Sequence, residues 1–534
     1  MDDRGAAITG RLSRRGLLAG APAALAAPAV QAPPARVLKF IPQADLEVLD
    51  PIATTACVTR NHGYLVFDTL FGQDAQFRPT LQMLDSAGTD NDGKLWRLTL
   101  RPGLLFHDGT RVLARDCVAS LRRWMACDPF GGALLEATDD ISAADDRTIL
   151  VRLRRPFPLL PDALGKITAP MPAMMPERLA RTDPSTPVTE MVGSGPYRFL
   201  PRERIAGARV AYERFALYRP REDGKTEWTA GPKIARFDRI DWVVIADDAT
   251  AAAALETGEV DWWENPTADL APVLAANPRL VVRVADPTGA ICLMRLNHLQ
   301  PPFDDPGVRR ALLGVVDQTA FMRAAAGANP AMWRAGVGLF CPGTPMASEA
   351  GMEVLTSPRD LLRGRRALRD AGYDGERTVV LAATDAPWQR ALAETAADTM
   401  RMIGINVDVL AADQGGIIRR RENKGPVEEG GWSVFFAVLP GLDLATPAGP
   451  ALRATGETAW FGWPSSQRLE ALRQDWLAAP ELESRQRICA DMQRQAWIDV
   501  PQIPLGQWFQ PTAYRADLTG VLDGFCLFWN LRRG

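Results

Sequence analysis

Strand, helix and strand follow one another twice in this chain, and that order constrains the fold more than any other feature. Phe237–Ile245 is an apolar run, Ala249–Thr257 an Ala-rich helical stretch, and Gly258-Glu259-Val260-Asp261 opens a further strand. Thr378–Ala383, Trp388–Ile403 and Gly404–Val409 repeat the pattern. Strands joined through a helix run parallel, because no tight turn can return the chain in that direction, so each unit predicts an α/β domain. With 534 residues the chain is too long for one core and divides into two or three domains.

Composition narrows the class. Hydrophobic content of 47% and charged content of 23% are those of an ordinary soluble globular protein. The net charge is −3, and the first thirty residues are locally basic, so the remainder is mildly acidic. Such a balance argues against nucleic acid or an anionic membrane as partner. Ser13-Arg14-Arg15-Gly16-Leu17-Leu18 followed by an Ala-rich run to Val30 reads as a twin-arginine export signal, with cleavage near residue 30. The run is short and broken by Pro, no Cys follows it, and no later stretch approaches the roughly 20 apolar residues of a membrane span. A soluble exported protein that is not a lipoprotein is the expectation. Seven scattered cysteines without a C-x-x-C read as buried small hydrophobes rather than a disulfide scaffold.

Arg295–Asp317 reads R-L-N-H-L-Q-P-P-F-D-D-P-G-V-R-R-A-L-L-G-V-V-D. An apolar strand, Ile291–Leu296, crosses a Pro-rich bend into a helix with Asp305 as N-cap and Pro306 in its first turn. Val308, Leu312, Val315 and Met322 fall on one face, which predicts a helix running to Gly327. Upstream, Lys94–Trp124 holds an alternating strand, two turns and a helix from Ala114. This segment and the N-x-x-x-x-P-F-D-D-x-x-V-R-x-A phrase resemble the family 5 solute-binding proteins of ABC transporters, the dipeptide, oligopeptide and nickel receptors. Leu100, Arg101, Gly103, Phe106, His107, Asp108, Gly109, Ala114, Asp116, Val118 and Ser120 match that family's pattern. Leu49-Asp50-Pro51, Gly193-Ser194-Gly195-Pro196-Tyr197, Gly258-Glu259-Val260-Asp261 and Pro501-Gln502-Ile503-Pro504-Leu505 follow in the family's order.

The resemblance implies a two-lobed α/β periplasmic-binding-protein fold of the large, class II-like peptide-binding type. It places a ligand cleft between the lobes and an extra subdomain in the first. Lobe I would run over 31–286 and be completed by 509–534; lobe II would be 287–508, with the crossing near Ala285–Gly289. The implied function is the periplasmic substrate-binding component of an ABC importer. It would capture a di- or oligopeptide or peptide-like amine by lobe closure and deliver it to the permease subunits of the inner membrane. The protein would be monomeric and need no cofactor. Nickel, haem, opine or glutathione receptors are alternatives within the class, and a peptide-handling chaperone shares the fold.

In peptide-binding members an Asp in the loop after the strand at 430–440 holds the ligand's α-ammonium. Asp443 is the acid here, although Thr446-Pro447 replaces the family's second Asp. Arg421 is the candidate for an anionic end. Trp432 and the Trp460-Phe461-Gly462-Trp463 cluster are candidate pocket walls. The rival class is a secreted enzyme or cofactor protein. Against it stand only three histidines (62, 107 and 298) and no H-E-x-x-H, P-loop or G-x-G-x-x-G fingerprint. His107 in its turn reads as structural, and Ser194 lacks the spacing of a nucleophile elbow.

Overall fold

The computed structural model describes residues 36–534. The twin-arginine signal and its cleavage point lie outside the described residues. Val37–Ile41 is central to a seven-stranded sheet: its buried Leu38 and Phe40 belong to the main core, and it pairs in parallel with Arg239–Val243 and Trp262–Trp263. The full order is Leu280–Val284, Pro511–Arg515, Trp262–Trp263, Val37–Ile41, Arg239–Val243, Arg209–Arg214, Tyr197–Phe199. Helix Asp248–Thr257, capped by Asp247 and stopped at Gly258 with φ +83°, makes the predicted crossover. The two strands it joins are parallel but not neighbours, because the opening strand lies between them.

The second sheet has six strands, ordered Trp333–Arg334, Ile503–Trp508, Ala290–Leu296, Val434–Pro440, Arg377–Ala383, Asn406–Ala412. Here the second crossover joins direct neighbours, Arg377–Ala383 and Asn406–Ala412, in parallel register. Val380 and Ala382 face one core with Val308 and Leu312, while Val379, Leu381 and Ala383 face a second core with Trp432. A smaller antiparallel sheet, Leu84–Asp90, Leu95–Leu100, Thr148–Leu153, Thr138–Ala143, packs helix Ala114–Cys127.

One expectation is corrected. The helix read as continuous from Pro306 to Gly327 is two, Pro306–Leu313 and Gln318–Ala326. Gly314 caps the first and the Asp317 carboxylate accepts from Thr319 N and Ala320 N to start the second, so a cap outcompetes a shared hydrophobic face.

The motif residues hold segments together. Asp50 of the Leu49-Asp50-Pro51 motif forms a fully buried ion pair with Arg123 (2.6 Å), and its two oxygens also accept from Ile52 N and Val188 N. Asp116 accepts from Leu113 N and Glu177 N, and Ser120 bonds Met175 through both N and O. His107 bonds Gly195 O at 3.0 Å, so two distant motifs meet. Gly193 and Gly195 are required by proximity: a Cβ at Gly193 would stand 2.0 Å from Val66 O. All seven cysteines are unpaired, five of them buried.

Candidate functional site

A cavity of about 590 Å³ lies where segments of both sheets' regions converge. Residues 55, 73, 76–79, 127–130, 162 and 166–170 form one side; residues 345–346, 439, 442–443, 445–446, 448–451, 460, 476, 482 and 485 form the other. Strand Val434–Pro440 delivers the chain to its edge, and the 3-10 turn Gly441–Leu444 sets Asp443 in the wall. Gly441 N donates to Gly289 O, and a Cβ at Gly441 would meet Thr288 O at 2.1 Å. The absent side chain thus lets the turn sit flat against the backbone of Thr288 and Gly289.

Among the described residues no hydrogen bond or ion pair reaches the Asp443 carboxylate. It keeps surface toward the hollow while protein surrounds it on all sides. Burial raises its pKa to about 6, against the lowering influence of Lys166 and Arg60, with Asp128 adding to the rise. Each of the other charges in the wall has at least one partner, although the Arg485 Nε is buried without one. Lys166 bonds Asp128, whose second oxygen accepts from Phe130 N and Gly131 N at 2.9 Å. Arg485 Nη1 lies 3.3 Å from Asp162 Oδ1 and joins the two sides. Arg78 Nε donates to Asp74 Oδ2 at 2.9 Å. The remaining wall is largely apolar, with Phe77, Ile167, Met346, Leu439 and Leu442; Phe130 and Trp476, centroids 5.9 Å apart, meet across it.

Of the residues nominated from sequence, Asp443 and Trp460 line the cavity. Arg421, Trp432, Phe461 and Trp463 do not; they form a separate cluster beneath Arg377–Ala383. Trp432 has no exposed surface, its ring centroid is 5.6 Å from that of Trp463, and its Nε1 donates to Arg421 O. The Arg421 guanidinium lies 4.3 Å over the Phe461 ring, and its Nε is buried without a hydrogen-bond partner among the described residues. Trp460 bridges the regions, packing on Phe435 and Phe461 while facing the cavity.

Sequence reasoning missed Lys166, Asp128, Asp162 and Arg485. Asp128-Pro129 carries a helix-start signal, but nothing in the sequence says that this helix opens at the cavity. It also missed Arg295. That guanidinium, without exposed surface, donates to the carbonyls of Ala451, Trp460 and Phe461 and to Gln502 Oε1 (2.7–3.2 Å) and lies 4.9 Å over the Trp460 ring. Burial lowers its pKa to about 9. It clamps the loop that carries the wall. The histidines are elsewhere: burial depresses His62 to about 3 and His107 to about 4, and lowers His298 strongly.

Two α/β lobes around one enclosed cavity define a ligand-binding receptor. The model of the bacterial extracellular solute-binding proteins, family 5, matches residues 78–441, and the chain belongs to that family. A probable peptide ABC transporter periplasmic-binding protein of Sinorhizobium fredii is 37% identical over 496 residues, covering 92% of each chain. A glutathione-binding protein of Pectobacterium atrosepticum is 27% identical over 88% of each. Among solved structures, the DppA protein of Helicobacter pylori in complex with the peptide STSA superposes with a TM-score of 0.74 at 18% identity, covering 93% of this chain and 98% of that one.

Proposed function

We propose that the protein is the substrate receptor of an ABC importer and that its ligand is a peptide or peptide-like amine whose ammonium binds Asp443. The observation that carries this reading is the unpartnered Asp443 carboxylate inside an enclosed, largely apolar cavity. An isolated buried carboxylate is costly, and a ligand cation relieves that cost only when bound. The relative from Sinorhizobium fredii, described as a probable peptide-binding protein, supports the same class.

Lobe I is proposed as 31–286 with 509–534 and lobe II as 287–508, a division supported by the membership of the two large sheets. A ligand touching both sides binds the closed arrangement better and shifts the population toward it, and the inner-membrane permease subunits read that shape. The site of action is the periplasm, reached by the twin-arginine route as a monomer. A binding role rather than catalysis accords with a wall that contains no histidine and whose thiol, Cys127, is pushed up mainly by burial.

Native mass spectrometry of protein purified from its host, followed by a thermal-shift screen of di- to pentapeptides, tests the reading. An amine-bearing peptide should co-purify or raise the melting temperature by mass action. An Asp443→Asn variant that keeps full affinity for that amine would overturn it.

A further inference from the structure

We infer that Arg485 reads a free carboxylate on the ligand, so that the cavity takes a zwitterion with its amine at Asp443 and its acid at Arg485. The inference rests on the reading that Asp443 receives the ammonium. It concerns the other end of the ligand.

An acid brought into an enclosed site needs a fixed cation with N–H groups to spare. Among the described residues three cationic side chains line the cavity, and they differ in what they have left to give. Lys166, nearly buried, closes on the Asp128 carboxylate, which has no exposed surface. Arg78 holds Asp74 through Nε (2.9 Å) and Nη2 (2.8 Å), and its side chain is 71% exposed, so water serves its remaining donors. Arg485 is the exception. Its side chain is only 14% exposed, and it meets one acid, Asp162, through Nη1 alone at 3.3 Å. Its Nε is buried without a partner, and its Nη2 is bonded to nothing among the described residues.

Nε and Nη2 form the edge with which a guanidinium grips a carboxylate. On the surface Arg377 uses that edge on Asp408, at 3.1 and 2.6 Å. In Arg485 the same edge is idle. A donor sealed from water and left unbonded is costly, and a ligand oxygen would satisfy it. The single long contact to Asp162 leaves the guanidinium free to turn toward a guest. Asp162 is a weak competitor, since it has no other hydrogen bond among the described residues and burial raises its pKa even beside Arg485.

The placement fits a zwitterion. Arg485 stands near the start of helix Leu482–Asp499, on the same side of the cavity as Asp443. Both charged ends of the ligand are then anchored to one side, and Asp162 ties them to the opposite side through the shared guanidinium.

Isothermal titration calorimetry of the mature protein with Leu-Phe, Leu-Phe amide and N-acetyl-Leu-Phe tests this. Leu-Phe should bind about tenfold more tightly than its amide, or better. In Arg485→Gln that preference should shrink to under about threefold through loss of free-acid affinity, with amide affinity nearly unchanged. A purely structural strap would weaken both ligands together and keep their ratio, and that result overturns the inference. Equal binding of acid and amide by the unaltered protein also overturns it, while leaving the Asp443 reading in place. N-acetyl-Leu-Phe binding as tightly as Leu-Phe, or no binding by any of the three into the millimolar range, overturns the Asp443 reading itself. Asp162→Asn gives a second measurement that keeps Arg485. Removing the competitor should raise the preference for the free acid by about threefold or more, and an unchanged or smaller preference counts against Arg485.

Discussion

The cavity around Asp443 and the cluster around Trp432 are built from the same materials, aromatic rings beside a charged group, and only one has room for a guest. In the cluster, Trp432, Phe435 and Trp463 stack on one another, Arg421 covers Phe461, and the Trp432 indole donates to a main-chain carbonyl. Its rings fill the space between them, and its indole donor at Trp432 is satisfied. In the cavity, Phe130 and Trp476 touch at one part of the wall of an open volume, and Asp443 has neither donor nor counter-ion among the described residues. Aromatic content and nearby charge therefore do not distinguish a core from a binding site. Open volume beside an unpaired carboxylate does.

Substitutions can break that contrast in order of size. Trp432→Ala should cost about 3–5 kcal/mol of stability, the range for emptying a fully buried large aromatic, measured by urea denaturation. Its ligand affinity, measured on the folded fraction, should stay within about threefold. Asp443→Asn should do the reverse. An amine ligand should lose about 2–3 kcal/mol in calorimetry, while the ligand-free protein gains on the order of 1 kcal/mol because an unpaired buried carboxylate is removed.

Acidification comes next. Because the carboxyl of Asp443 titrates near 6 in the fold, above the usual 3.8, the folded ligand-free protein binds the extra proton first. Its contribution to stability therefore rises as pH falls from about 6 to about 4. Affinity for an amine moves oppositely, falling about tenfold between pH 7.5 and 5 as the ionised fraction drops. Asp443→Asn should flatten both profiles. Arg421→Met should have the smallest effect, under about 1 kcal/mol in stability with no measurable change in affinity, since it loses a ring stack and leaves the cavity untouched.

The fold was legible because its rules are local. The period of the strands, the crossover helices and the cap at Asp305 all stood in the sequence and reappear in the structure. The single long helix failed because Asp317, a strong cap, was read as the end of a motif rather than as a beginning. Of the residues nominated from sequence, only Asp443 and Trp460 line the candidate cavity. Asp128, Lys166, Asp162 and Arg485 converge from separate segments, and no local pattern reports that meeting. The motif residues proved architectural for the same reason: Asp50 with Arg123, and His107 with Gly195, are contacts that the whole fold reuses.

The Arg295 clamp carries a consequence for ionic strength. Its acceptors are four neutral oxygens and a ring, and the guanidinium itself has no exposed surface, so dissolved ions compete for it and screen it little. The Arg485–Asp162 pair is partly open and is softened by salt. The shape of the Trp460 wall should thus hold from fresh water to brine, while the strap between the two sides slackens.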